Sequence, residues 1–278
     1  MTTPYAPPVD RLLALGDPED LDAPYADYRA LGLTPEHAAE LLRMANDPAL
    51  RAAETYSAEE VARMHAWRVL GQLGVEEAAA PLVALLREHT DDELIQEDLP
   101  RAVAMIGRAA IEPARALLGD ENVGVTPRIG GISVLGQVAI QHPELRDEAV
   151  GVLVAQLSMH MDQDPDINAF VVGELAELRA TEAAPAIQAA YEAETVSEFW
   201  VGDWEDVQVR MGLLEKRTTP SPRSLGSAAP VRLGSLPALL PRLGEPSARP
   251  STGGQKARAK PKNRRKDAKA SRKRNRRK

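Results

Sequence analysis

Fourteen of the last 23 residues of the chain are basic: Lys256, Arg258, Lys260, Lys262, Arg264, Arg265, Lys266, Lys269, Arg272, Lys273, Arg274, Arg276, Arg277 and Lys278. One acid, Asp267, interrupts them, and no aromatic or aliphatic residue larger than alanine accompanies them. Positive charge at this density neutralises phosphates and releases their counterions, which gives salt-sensitive binding with little sequence preference. Without aromatic rings there is no platform for base stacking. The expected partner is therefore RNA, the ribosome or another polyanion read as charge. An acidic membrane, an acidic protein and the chain's own body compete for the same role. Such a segment buries too little to fold and is expected to be disordered alone.

The rest of the chain has the opposite sign. Residues 1–215 hold 14 arginines, no lysine and 39 acids, a formal charge of −25, whereas residues 216–278 carry +18. The net charge of −7 conceals this separation. An acidic body repels a nucleic-acid backbone, so any RNA contact is expected through the tail.

Other chemistry is sparse, and no catalytic, cofactor-binding or metal-ligating set is predicted. His37, His65, His89, His142 and His160 lie 17 or more residues apart and form no H-E-x-x-H pattern. His65 falls on an apolar stripe and reads as a packed core residue. Asp162, Asp164 and Asp166 mimic the first ligands of a calcium loop, but Ile167 and Gly173 stand where Gly and Glu are needed. A helix start at Asp164–Pro165 explains them better. No P-loop lysine or dinucleotide fingerprint accompanies Gly71, Gly107 or Gly130–Gly131. Phe199, Trp200 and Trp204 lie among Asp203, Glu205 and Asp206. They have two readings: an aromatic protein-binding anchor, or a cap whose rings close the end of a helical stack. The leucines of residues 232–244 suggest a short linear docking motif or an inert spacer, because Pro237 and Pro241 forbid a regular helix.

The elements that position these residues read as helices. Aromatic content is only 4%, and Ala and Leu fill the apolar positions, which favours close-packed helices. Thr34–Pro35 starts a helix to about Met44, and Ser57-Ala-Glu-Glu60 is a capping box. It opens a helix with one apolar stripe at Ala62, His65, Ala66, Val69, Leu70 and Leu73. A break at Gly74–Val75 leads to a second helix. The pair recurs, with Pro81, Pro113 and Pro185 near the start of each second helix, where proline costs no hydrogen bond. Taking Leu70, Ile106, Leu135 and Leu175 as equivalent gives intervals of 36, 29 and 40 residues, the range of stacked two-helix repeats. Asp203 is expected to cap a final short helix with Asp206 at its third position.

The body also resembles a known family. His65-Ala-Trp-Arg-Val-Leu-Gly-Gln-Leu73, Glu97-Asp-Leu-Pro100, Met105-Ile-Gly107, Ala109-Ala-Ile111, His142-Pro-Glu-Leu-Arg-Asp147 and Gly202-Asp-Trp-Glu-Asp-Val-Gln208 carry the likeness. They resemble bacterial and archaeal HEAT-repeat proteins of the phycobilin-lyase-type group, whose members often end in a SEC-C zinc knuckle. The resemblance covers roughly residues 10–215 and implies a helical scaffold. The knuckle does not carry over, because the chain has no cysteine.

The sequence thus predicts an all-α, HEAT-like α-solenoid of stacked antiparallel helix pairs with a disordered C-terminal tail. Its parts are an N-terminal helical segment (1–56), HEAT-like repeats (57–194), an aromatic and acidic cap (195–215), a Pro/Gly/Ser-rich linker (216–255) and the basic tail (256–278). The expected function is a non-enzymatic adaptor holding a protein partner on its body, with no cofactor. The alternative is an enzyme or chromophore lyase with a cleft site. The lack of cysteine, of an apolar leader and of an 18-residue apolar run suggests a cytoplasmic protein.

Overall fold

In the computed structural model the chain divides into two units, Met1–Leu243 and Gly244–Lys278. The structure describes residues 5–16, 24–55 and 57–220, all within the first unit. The basic tail and the leucine-bearing segment 232–244 lie outside the described residues. Among the described residues there is no strand, and no helix is long and apolar enough to cross a membrane.

Four helix pairs form the body. They are α3 (Ala58–Leu73) with α4 (Ala79–Glu88), α5 (Glu93–Ala104) with α6 (Ile111–Gly119), α7 (Val125–Gln141) with α8 (Arg146–Leu157), and α9 (Pro165–Glu177) with α10 (Ala184–Glu192). The first helices stack in one row, α3 on α5, α5 on α7 and α7 on α9. The second helices form the other row, α4 beside α6, α6 beside α8 and α8 beside α10. Before the first pair come α1 (Ala38–Ala45) and α2 (Pro48–Arg51), both against α3. After the last pair, α11 (Glu198–Val201) and α12 (Trp204–Met211) pack on α9. This is the paired-helix solenoid predicted from the sequence.

A short 3-10 turn opens the approach to every second helix: Glu76–Ala78, Arg108–Ala110, Pro143–Leu145 and Thr181–Ala183. Pro81, Pro113 and Pro185 sit in the first turns of α4, α6 and α10, where the missing N–H has no intrahelical partner to lose. Counting from these turns, the repeats are 32, 35 and 38 residues long, which corrects the intervals read from leucines. Leu70 and Leu175 are true equivalents, since each carbonyl accepts the N–H five residues on (Val75, 3.1 Å; Ala180, 2.9 Å). Ile106 lies beyond the end of α5, and Leu135 lies well inside α7. Helices of unequal length shift the leucines against the turns.

A second correction concerns α3. A single apolar stripe was expected, but every residue from Val61 to Gly71 is buried. The cause is the segment before it: Val9–Ala14, Tyr28–Leu31 and α1 all pack on α3 and cover the face that a terminal repeat would otherwise expose. Its polar side chains consequently turn inward onto partners. Gly71 permits the close approach of α5, because a Cβ there would stand 2.3 Å from the Ala102 carbonyl oxygen.

Candidate functional site

The aromatic trio is divided by the fold. Trp200 is 7% exposed, with its ring 5.3 Å from that of Phe170 on α9. Trp204 leans on Tyr191 of α10 at 5.9 Å. These two close the end of the stack. Phe199, edge-on to Trp200 at 4.8 Å, stays 73% exposed. The backbone of α11 accounts for this: one turn sends adjacent side chains in different directions, so Trp200 faces α9 and Phe199 does not.

Below this edge lies an acidic cradle at the start of α12. Asp203 caps the helix by accepting from the Asp206 N–H (2.9 Å), and Asp206 accepts from the Asp203 N–H (3.4 Å), the expected capping box. The carboxylates retain oxygens facing outward, and the chain itself returns to fill them. Arg217 donates to both oxygens of Asp203 (2.6 and 2.8 Å) and lies 2.5 Å from Asp206. Glu205 accepts from the N–H of Thr218 (2.6 Å) and of Thr219 (3.1 Å) and from both threonine hydroxyls. Hydrogen bonds from the two threonines hold the Glu205 carboxyl down at about 2. The Arg217 hydrogen bond likewise lowers Asp203. The expected linker therefore does not begin as a free spacer at 216, because residues 217–219 belong to the cap.

A second polar cluster lies inside the stack, and sequence reasoning missed it. Asp98 of α5, 2% exposed, accepts from Arg68 Nε (3.0 Å) and Nη2 (2.5 Å), from Trp67 Nε1 (2.7 Å) and from the Tyr25 hydroxyl (3.1 Å). The Tyr25 ring lies under the guanidinium groups of Arg68 and Arg101, 4.1 and 4.6 Å from its centroid. Burial opposes the Arg68 charge, but hydrogen bonds and attraction from Asp98 outweigh it and hold the proton more firmly than usual. Burial, then the Asp98 charge, pushes the Tyr25 hydroxyl up. Beside them, His65 sits between the Tyr28 hydroxyl (2.7 Å) and the Gly16 carbonyl (2.9 Å), the packed core residue expected. Every group here is spent on another, so the cluster fastens Gly16, Tyr25 and Tyr28 to the first row of helices.

Glu174 of α9 is the third unusual group. Its side chain lies flat on α7, where a Cβ on Gly136 would fall 1.5 Å from Oε1. Burial, then the neighbouring charge of Glu177, raises its carboxyl to about 8. It is accordingly a neutral acid at pH 7.

No group of three or more His, Cys, Asp or Glu suited to a metal occurs among the described residues. Asp164 caps α9 by accepting from Asp166 N (2.8 Å), as the helix-start reading requires. An open cleft of about 590 Å³ between α1, α2 and α4 includes Arg43, Asp47, Pro81 and Leu85 in its lining. Its Asp47 carboxylate is occupied by the Tyr5 hydroxyl (2.6 Å) and Ala49 N–H (2.8 Å).

The family model described as "Protein of unknown function (DUF1186)" matches residues 59–219. No curated protein and no solved structure matches the chain. The matched stretch opens in the first turn of α3 and ends at Thr219, so it takes in all four pairs, the cap and the returning Arg217–Thr219 segment. With more than half of its length under that model, the chain belongs to the DUF1186 family.

Proposed function

We propose that the protein is a non-enzymatic adaptor. Its HEAT-like helical body holds a protein partner, and its basic tail holds RNA, the ribosome or another polyanion. The observation that carries this reading is the separation of charge, −25 over residues 1–215 against +18 over the remainder. Two fields of opposite sign on one chain select two kinds of partner. The exposed Phe199 supports the protein-binding half: it offers an aromatic anchor to a partner with an apolar pocket. The members of the inner polar cluster bind one another, which suits a rigid scaffold.

The tail half is tested with single-stranded RNA of mixed sequence. Deletion of residues 256–278 is expected to abolish RNA retention while leaving helicity and the thermal transition unchanged. For the full chain, a tail that engages six phosphates of a single strand loses about three-hundredfold in affinity between roughly 50 and 200 mM salt. Equal retention by the shortened protein, or retention indifferent to salt, contradicts the assignment.

A further inference from the structure

We propose that Arg217–Thr219 is a releasable latch, and that Thr218 and Thr219 are its modification site, opened by transfer of a phosphoryl group to either hydroxyl. The inference stands on the docked geometry and is independent of the adaptor reading. The latch has two halves. Arg217 is gripped by Asp203 and Asp206, and its guanidinium also donates to the Thr219 carbonyl (3.3 Å) and the Pro220 carbonyl (3.3 Å), which bends the segment around it. The Glu205 carboxylate collects the N–H and hydroxyl of both threonines. Everything on the body side is an anion, and the contacts require hydroxyl donors opposite Glu205.

That arrangement makes the latch sensitive to one change of charge. Phosphothreonine is an acceptor carrying close to two negative charges at neutral pH. Placed at either Oγ1, it would face the carboxylate that the hydroxyl now binds, and like charges in contact repel. The same phosphate is an alternative partner for Arg217, since guanidinium pairs with phosphate through parallel hydrogen bonds, and so competes with Asp203. Both halves of the latch are weakened together.

The site is also accessible. Thr218 and Thr219 are exposed although their hydroxyls are engaged, and their hydrogen bonds to Glu205 lie at the surface, where water competes for them and an enzyme can reach the hydroxyls. In the transfer, a threonine Oγ1 bonds to the γ-phosphorus of a nucleoside triphosphate. The bond from that phosphorus to the bridging oxygen breaks, and the nucleoside diphosphate leaves with the electron pair. The hydroxyl proton passes to a base of the transferring kinase. The open latch is then the form the phosphate favours. Opening frees three carboxylates at the end of the stack and releases the point where the chain departs toward its basic segment.

Trypsin reads the latch directly, because it needs the Arg217 side chain that Asp203 and Asp206 hold. The full chain is compared as wild type, T219Q, T219E and a form with phosphothreonine placed at 219 during translation. The four are repeated with E205Q. Cleavage rates at Arg217–Thr218 are divided by those of free peptides of the same sequence, which removes the protease's own preference. T219E is expected to be cut at least about tenfold faster than T219Q, and the phosphothreonine form faster still. With E205Q these ratios should fall to within about threefold. Equal rates for the phosphothreonine and Gln forms would overturn the proposal, as would a ratio that E205Q leaves unchanged.

Discussion

Replacing Asp98 with alanine is expected to remove about 3–5 kcal/mol of folding stability, a large part of the 5–15 kcal/mol typical of a domain. The size follows from what remains behind. Asp98 and Arg68 are each about 2% exposed, and the carboxylate receives the guanidinium, the Trp67 indole and the Tyr25 hydroxyl. Removing it strands a buried cation and the buried Trp67 indole N–H, and takes the side-chain acceptor from the half-buried Tyr25 hydroxyl. D98N is expected to be nearly as damaging, since one amide oxygen cannot serve three donors or balance the charge. A paired replacement, R68M with D98L, recovers much of the loss, because exchanging a buried ion pair for apolar groups is often close to neutral. Urea unfolding of the four proteins checks this. A D98A loss below about 1 kcal/mol, or a double variant worse than D98A, contradicts the account of this cluster.

The second large effect depends on pH and comes from Glu174. Its carboxyl is raised to about 8 in the folded protein from an ordinary 4.5, so the folded form keeps a proton that the unfolded chain releases. The stability of the neutral acid is fully present below about pH 4.5 and is lost progressively as pH rises toward 8. At about 1.4 kcal/mol per unit, the whole shift amounts to roughly 4–5 kcal/mol. E174Q keeps the shape that lies over Gly136 and abolishes the titration. The two proteins are therefore expected to match near pH 4.5 and to diverge by several kcal/mol at pH 8, with E174Q the more stable. Unfolding free energies measured across this range give the difference directly. Parallel curves would show that Glu174 is ionised in the fold.

What the sequence revealed is what neighbouring residues decide among themselves. The prolines of the second helices, the Ser57, Asp164 and Asp203 caps and the Ala/Leu core follow from local propensity and periodicity, and they recur in the structure. The Asp98 cluster was hidden because the donors that converge on Asp98 lie 30 to 73 residues from it. Trp67 and Arg68 read locally as one more turn of helix. Gly71 and Gly136 each follow one of the leucines taken as equivalent, Leu70 and Leu135, yet they make room for different things, the backbone of α5 and a carboxyl from α9. Arg217-Thr218-Thr219 resembled the start of a linker. Nothing local shows that capping carboxylates keep outward-facing oxygens. The spacing of Phe199, Trp200 and Trp204 likewise could not say which ring would face out, since that depends on where α9 and α10 stand.

The division of labour between body and tail is tested most directly by capture from native extract. The baits are the full chain, the chain lacking residues 256–278, and full-length F199S, with proteins and RNA both quantified after nuclease-treated and untreated washes. The account predicts that F199S loses a set of bound proteins while keeping its RNA, and that the shortened chain keeps those proteins while losing RNA. If F199S captures the same proteins as the unaltered chain, Phe199 is not the anchor; if proteins and RNA vanish together with the tail, the body is not the protein-binding part and the adaptor account fails.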